Sequence, residues 1–221
     1  MPVTLSRIPT LRELYKSGVL TAVADTAKVR HPPKSALLDR ISLYQGDITR
    51  LHLDCIVNAA NRSLLGGSSH FDGAIHAAAG PSLLKECRKL NGCDTGDAKI
   101  TKGYDLPSRH VIHTVGPIYS STNAEENAQQ LASCYKKSLQ LAVASSLKHI
   151  AFPSISTGIY GYPVQDATHI ALNVVREFLD TAEGDKLERT IFVVWSNTDK
   201  GVYESLIPLY FPPDESEAAA E

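Results

Sequence analysis

Asn58-Ala-Ala-Asn61-Arg-Ser-Leu-Leu-Gly66-Gly67-Ser68-Ser69-His70-Phe71-Asp72-Gly73-Ala-Ile-His76 is the stretch whose reading decides the fold. It follows Cys55-Ile56-Val57, a short apolar run that reads as a buried strand. The chain then passes through small, turn-favouring residues into an apolar helix from about Ala74. Strand, small-residue loop and helix start place backbone N–H groups and a helix dipole where an anion can dock. Two carboxamides and a carboxylate in the same stretch add groups that can orient a ligand.

Upstream, Ile41 to Gln45 alternates like a strand and Gly46-Asp47 stops it. Residues 1–40 read as an extension: Thr10 caps a short helix over residues 11–16, and two prolines mark a surface linker over residues 26–33. Downstream, the apolar helix runs to Lys89 with a break at Pro81, which predicts two helices. Strands are expected over residues 98–104 and 110–114, then a long amphipathic helix over residues 123–147 with Leu131, Tyr135, Leu139, Ala142 and Val143 on one face. A strand over residues 149–152 ends at Pro153 and opens a second small-residue loop, Ser154-Ile-Ser156-Thr157-Gly158-Ile159-Tyr160-Gly161-Tyr-Pro163. A helix over residues 164–179 turns Ala167, Ile170, Ala171, Val174, Val175 and Phe178 inward. The last strand ends at Trp195, a short helix covers residues 200–206, and residues 213–221 form an acidic tail, expected to be disordered.

Strands alternating with helices through short loops make an α/β layered fold. Ligands in such folds sit beyond the carboxyl ends of the strands, and both small-residue loops follow strands. The two loops can therefore line one crevice. A chain of 221 residues, 43% of them hydrophobic, can bury one sizeable core. The net charge of −2 gives no bulk attraction for nucleic acid or anionic membrane, and no apolar run is long enough to span a bilayer. The first residues lack the pattern of a secretory signal, and four cysteines without Cys-x-x-Cys spacing read as buried thiols in a reducing compartment, cytoplasm or nucleus.

The common phosphate and hydrolase signatures are missing. There is no Gly-x-x-x-x-Gly-Lys-Ser/Thr, no strand-borne Gly-x-Gly-x-x-Gly with its acidic partner, and no Gly-x-Ser-x-Gly. The second loop can still wrap a pyrophosphate, because Gly158 and Gly161 permit close backbone approach.

With both loops read, the chain resembles the MacroD-type macrodomains, which bind ADP-ribose and remove mono-ADP-ribose from modified proteins. The matching pieces run from about residue 41 to 212. They are Gly46-Asp47-Ile48-Thr49, Ile56-Val57-Asn58-Ala59-Ala60-Asn61, Leu64-Leu65-Gly66-Gly67, Asp72-Gly73-Ala74-Ile75-His76, Ala78-Ala79-Gly80-Pro81, Thr95-Gly96, Ala98-Lys99-Ile100-Thr101, Val111-Ile112-His113-Thr114-Val115-Gly116-Pro117 and Ser156-Thr157-Gly158. The resemblance implies a three-layer α/β/α sandwich around a central mixed sheet. It implies that Asp47 accepts from the adenine amino group beside the Ile48 N–H, and that Trp195 lies against adenine. Ser156, Thr157, Gly158, Ile159 and Tyr160 would surround the pyrophosphate and distal ribose, with Gly67 and Ser69 from the first loop. Asn61 would hold a distal ribose hydroxyl, and Asp72 would be the catalytic carboxylate. No metal and no cofactor is implied. The implied partners are ADP-ribose and mono-ADP-ribosylated proteins, with no nucleic acid and a monomer as the default. Hydrolysis of O-acetyl-ADP-ribose is implied too.

One departure stands beside the acid. The family usually reads Gly-Gly-Gly-Gly-Val-Asp-Gly, whereas this chain reads Gly66-Gly67-Ser68-Ser69-His70-Phe71-Asp72-Gly73, one residue longer, and has Ala77 in place of an arginine. A loop displaced there would leave an ADP-ribose reader with little or no hydrolysis, which is the alternative function. Bland readings also exist for single residues. Asp47 suits a cap at Ile48, Asp72 suits an N-cap of a helix from Gly73, and Trp195 suits plain core. Asn58 reads as a turn residue and His113 as a satisfied core histidine. His70, Asp72 and His76 form a weaker metal alternative with no cysteine beside them.

Overall fold

Six strands build one sheet in the computed structural model, which describes residues 1–67 and 70–214, with His70 and Phe71 through their backbone alone. They are β1 Ile41–Gln45, β2 Cys55–Ala59, β3 Ala98–Lys102, β4 His110–Thr114, β5 His149–Pro153 and β6 Arg189–Val194. Their spatial order is β1-β6-β5-β2-β4-β3. All neighbours run parallel except the β3–β4 pair, so the sheet is mixed. Strictly parallel strands need both faces covered, which is why β2, β5 and β6 read as nearly unbroken apolar runs.

The burial alternates strand by strand. Cys55, Val57, Ile112, Ile150, Phe152, Phe192 and Val194 enter one apolar layer, and Ile56, Val111, Ala151, Ile191 and Val193 enter the other. The first layer is closed by α5 Ala124–Ala144, α6 Val164–Leu179 and α7 Asn197–Tyr210, joined by α1 Leu11–Lys16 and α2 Ser35–Leu38. The second is closed by α3 His70–Ala79 and α4 Pro81–Lys89. The result is the expected α/β/α sandwich. Because side chains alternate with a period of two, a one-residue slip in any strand would exchange the two layers.

Several boundaries differ from the sequence reading. The helix before Gly80 starts at His70, so Asp72 lies inside its first turn rather than capping a helix from Gly73. The break at Pro81 is as expected: Gly80 takes φ +74°, which a side chain would strain, and Pro81 opens α4 where no intrahelical N–H is needed. The last helix is longer than expected, Asn197–Tyr210, because the Ser196 hydroxyl caps it at the Asp199 N–H and Pro208 falls in its final turn. The four-residue α2 is too short to show periodicity in sequence. The apolar face of α6 is the expected one made wider: Ala167, Ala171, Val175 and Phe178 are buried, Ile170 and Val174 are partly buried against the same core, and Leu172 and Leu179 join them because the helix packs between α5 and α7.

Residues 1–40 are tied into the same body. Leu11, Leu20, Leu37 and Leu38 are buried in the first layer. Thr10 and Glu13 form a reciprocal capping box on α1, and the Arg30 N–H donates to the Leu209 carbonyl. Residues 26–33 are nonetheless exposed or half-buried along most of their length, as a surface linker should be. Of the expected acidic tail, residues 215–221 lie outside the described residues.

Candidate active site

The carboxyl ends of β1, β6, β5, β2 and β4 meet along one rim, and the residues singled out in the sequence stand there in strand order. Beyond β1, Asp47 is half-buried and its Oδ1 accepts from the Thr49 N–H at 2.9 Å and the Thr49 hydroxyl at 2.6 Å. It thus caps a short 3₁₀ turn, Ile48–Arg50, whose Ile48 side chain is buried. Trp195 follows the neighbouring strand β6 and is 52% exposed, which excludes the plain-core reading. Gln45 donates to the Trp195 carbonyl at 3.2 Å and the Gly46 N–H donates to Val194, so the two strand ends are laced together.

Beyond β5, the second loop is held as a compact turn. The Thr157 hydroxyl donates to the Ser154 carbonyl, the Gly161 N–H to Gly158 and the Tyr162 N–H to Ser156. Ser156 sits at φ +65°, a left-handed conformation that costs serine on the order of 1 kcal/mol. It is 7% exposed and its hydroxyl has no hydrogen-bond partner among the described residues. Such strain collects at ligand sites, where the surroundings hold it in place. Gly158 is open on the side where a Cβ would project, and Ile159 is 71% exposed. Gly116, beyond β4, has no room for a side chain because the Ser156 hydroxyl occupies that space.

Beyond β2 lies the carboxylate. Asp72 is 1% exposed although it carries a charged group. Its Oδ1 accepts from Asn58 Nδ2 at 2.8 Å and its Oδ2 from Asn61 Nδ2 at 3.3 Å. Asn61 also donates to the Gly66 carbonyl at 2.9 Å, and its Oδ1 accepts from the Ser63 N–H and hydroxyl, which fixes the amide orientation. Gly67 covers this pair: a Cβ there would stand 3.0 Å from Asn61 Nδ2 and 3.5 Å from Asp72 Oδ2. His76, one turn along α3, brings Nε2 within 3.6 Å of Asp72 Oδ1. Burial lowers the His76 pKa and the Asp72 charge opposes this. Burial, then the same charge, raises the Tyr160 phenol.

The structure therefore brings together Asn61, Gly67 and Asp72, and sets Tyr160 within their field. Asp47, Ile48 and Trp195 form a separate group at the other end of the rim. Ser69 lies outside the described residues, as do Ser68 and the side chains of His70 and Phe71, so the departure in the loop has no structural description. Two residues read as structural prove to be in the site's first layer of support: Asn58 donates to Asp72, and His113 lies 3.2 Å from the same Asn58 nitrogen. The available signal was a polar residue at an inward position of an otherwise apolar strand, since buried polar groups require partners.

His76, Cys87 and His113 also place ligating atoms within 4.8 Å of one another. Cys87 and His113 have partners at hydrogen-bond distance there, whereas His76 Nε2 has none among the described residues. Burial pushes the Cys87 thiol up to about 11, and both ring nitrogens of His113 have partners at hydrogen-bond distance.

Comparison with known proteins bears on the family and the fold. The family model of the Macro domain matches residues 57–171. A relative from Xenopus laevis named ADP-ribose glycohydrolase MACROD2 is 49% identical over 212 residues, covering 96% of this chain and 50% of the relative. A macro domain-containing protein of Chlorobaculum tepidum is 54% identical over 175 residues, covering 79% of this chain and 98% of the relative. Among solved structures, the Trypanosoma brucei macrodomain in complex with ADP-ribose superposes with a TM-score of 0.77 at 40% identity, covering 93% of this chain and 77% of that one. The chain spans about half the length of the first curated relatives it matches.

Proposed function

The chain belongs to the macro domain family, and from that premise we propose that it binds ADP-ribose and hydrolyses the ester joining mono-ADP-ribose to acidic side chains of proteins. The observation that carries the proposal is the order of chemistries along the rim. An exposed indole and a capped carboxylate stand at β6 and β1, a strained small-residue turn follows β5, and a buried carboxylate–carboxamide pair follows β2. With neighbouring strands about 4.8 Å apart, the three steps from β1 to β2 span roughly 14 Å. That suits an extended ligand with an adenosine at one end, a diphosphate in the middle and a sugar at the other.

In this reading Asp47, its Oδ1 held by Thr49, meets the adenine amino group with Oδ2 while the Ile48 N–H meets the ring. Trp195 lies against the adenine face. The turn from Ser156 to Tyr160 receives the diphosphate through backbone N–H groups, and Gly67 lets the sugar approach Asn61 and Asp72. Asp72 orients water toward the ester at the anomeric carbon. Water and ester then give ADP-ribose and the free carboxyl group. The anomeric ester is already activated, so placement of water and polarisation by the phosphates supply the rest. The same chemistry would serve O-acetyl-ADP-ribose. Four free, buried cysteines suit cytoplasm or nucleus, and action as a monomer without nucleic acid belongs to the same proposal.

The test is calorimetry with ADP-ribose, followed by a time course on a glutamate-linked mono-ADP-ribosylated protein with Asp72→Ala beside it. The parent should bind and release ADP-ribose. The variant should bind while losing about 10²-fold or more in turnover. Binding without release by the parent would favour the reader, and full turnover by Asp72→Ala would remove the mechanism.

A further inference from the structure

Asp72 is held from behind by a chain of polar side chains that crosses three strands. We propose that His113 is a positioning residue for the hydrolysis, fixing the orientation of the Asp72 carboxylate through Asn58; this rests on the role given to Asp72 above.

Asn58, His113 and Thr101 belong to β2, β4 and β3, neighbours in the sheet. Asn58 and His113 are direct register partners, and Thr101 is two residues from Lys99, the partner of His113. All three therefore point to the face covered by α3 and α4. All three are buried to 2% exposure or less. Asn58 Nδ2 lies 2.8 Å from Asp72 Oδ1 and 3.2 Å from His113 Nδ1, and His113 Nε2 lies 2.9 Å from Thr101 Oγ1.

The hydrogens along this chain have one consistent arrangement. A carboxylate only accepts, so the amide nitrogen of Asn58 must face Asp72. Its second hydrogen then points at His113 Nδ1, which must be bare. The imidazole proton is consequently on Nε2, where Thr101 Oγ1 accepts it. The Thr101 hydrogen is left to the Val111 carbonyl at 3.5 Å. Burial, with a smaller contribution from His76, pushes His113 down to about 3, so the ring stays neutral and the chain keeps its sense at neutral pH. Turning the Asn58 amide over would set its oxygen against both the carboxylate and the bare nitrogen. A flip would also force the imidazole proton from Nε2 to Nδ1, so His113 adds to the barrier that the carboxylate sets. Asp72 Oδ1 is pinned at the back, and Oδ2 is the oxygen presented toward Asn61 and Gly67, on the crevice side.

The experiment measures kcat and KM of the full chain on the glutamate-linked substrate, with ADP-ribose Kd by calorimetry, for the parent, Asp72→Ala, His113→Phe, His113→Asn and Thr101→Val. His113→Phe removes the acceptor and should lower kcat about 10- to 100-fold with KM and Kd within about threefold. His113→Asn restores an acceptor near the Nδ1 position and should recover kcat to within about fivefold of the parent. Thr101→Val removes the acceptor at Nε2, so the ring is held less firmly, and should lower kcat about threefold or more, which keeps the proposal testable if the Phe variant does not fold. Full kcat in His113→Phe, or in Thr101→Val where the Phe variant is unfolded, with Asp72→Ala inactive, overturns this inference and leaves the catalytic reading standing. Equal losses in the Phe and Asn variants accompanied by weakened ADP-ribose binding also overturn it, since that marks a structural role. Full turnover in Asp72→Ala instead fails the reading on which it rests.

Discussion

A neutral His113 has a consequence for stability that can be worked out from its burial. The ring is fully buried and its pKa falls from the ordinary 6.5 to about 3. Between those two values the unfolded chain binds a proton that the folded chain refuses. Folding is then favoured most above pH 6.5 and loses stability as pH falls, by about 1.4 kcal/mol per pH unit. From pH 7 down to pH 4.5 this amounts to about 2.7 kcal/mol, a large share of the 5–15 kcal/mol that typically holds a domain together. The perturbation is His113→Asn, which keeps a polar group in place but cannot titrate. Urea unfolding of parent and variant at pH 7.0, 5.5 and 4.5 gives the comparison. Other acids and histidines titrate in both proteins and cancel in the difference. The parent should lose about 2–3 kcal/mol more than the variant between pH 7.0 and 4.5. Parallel pH curves would mean that His113 titrates normally in the fold. A proton would then reside on Nδ1 at mildly acidic pH, facing the Asn58 amide hydrogens, and the hydrogen arrangement behind Asp72 would be wrong.

Three further outcomes follow from the geometry. Trp195→Ala should weaken ADP-ribose binding roughly tenfold or more, from a stacking contribution of about 1–3 kcal/mol, while thermal unfolding barely moves because the indole is half-exposed; unchanged affinity by calorimetry would remove it from the adenine end. Gly67→Ala places a methyl 3.0 Å from Asn61 Nδ2 and 3.5 Å from Asp72 Oδ2, so turnover should fall about tenfold with little change in melting temperature, and undiminished release of ADP-ribose would show that the loop is not over the acid. Thr10→Ala breaks the capping box with Glu13 and should cost about 1 kcal/mol, or about 2–4 °C in melting temperature, with ADP-ribose affinity untouched; no shift by calorimetric melting would mean that the cap contributes nothing to stability.

The strands were legible because their chemistry is local. Ile41 to Gln45 and His110 to Thr114 carry their boundaries in sequence, with Gly46 and Pro107 nearby as punctuation, and the structure places β1 and β4 at those limits. The helix over residues 164–179 was legible in extent and in facing but not in the width of its buried face, because α5 and α7 both press on it and add Leu172 and Leu179. The start of α3 was not legible: Ser68 to Phe71 look like turn residues, and a helix beginning at His70 gives no apolar period until Ile75.

The site divides along the same line. Its front, Asp47, Asn61, Asp72 and the turn from Ser156 to Tyr160, lies in continuous stretches whose small and polar residues announce themselves between apolar runs. Its back, Asn58, His113 and Thr101, is contributed one residue at a time by three strands. No linear spacing joins positions 58, 101 and 113; the register of β2 on β4 and of β4 on β3 does. Each residue alone looks like a tolerated irregularity in an apolar strand, and each alone would be costly to bury. Together they offset most of that cost, with Asn58 Oδ1 alone of their side-chain polar atoms left without a partner among the described residues, and in doing so they transmit an orientation to Asp72. A buried polar residue in a strand is therefore best read jointly with its register partners, because the sheet, not the sequence, sets which acceptor each donor meets.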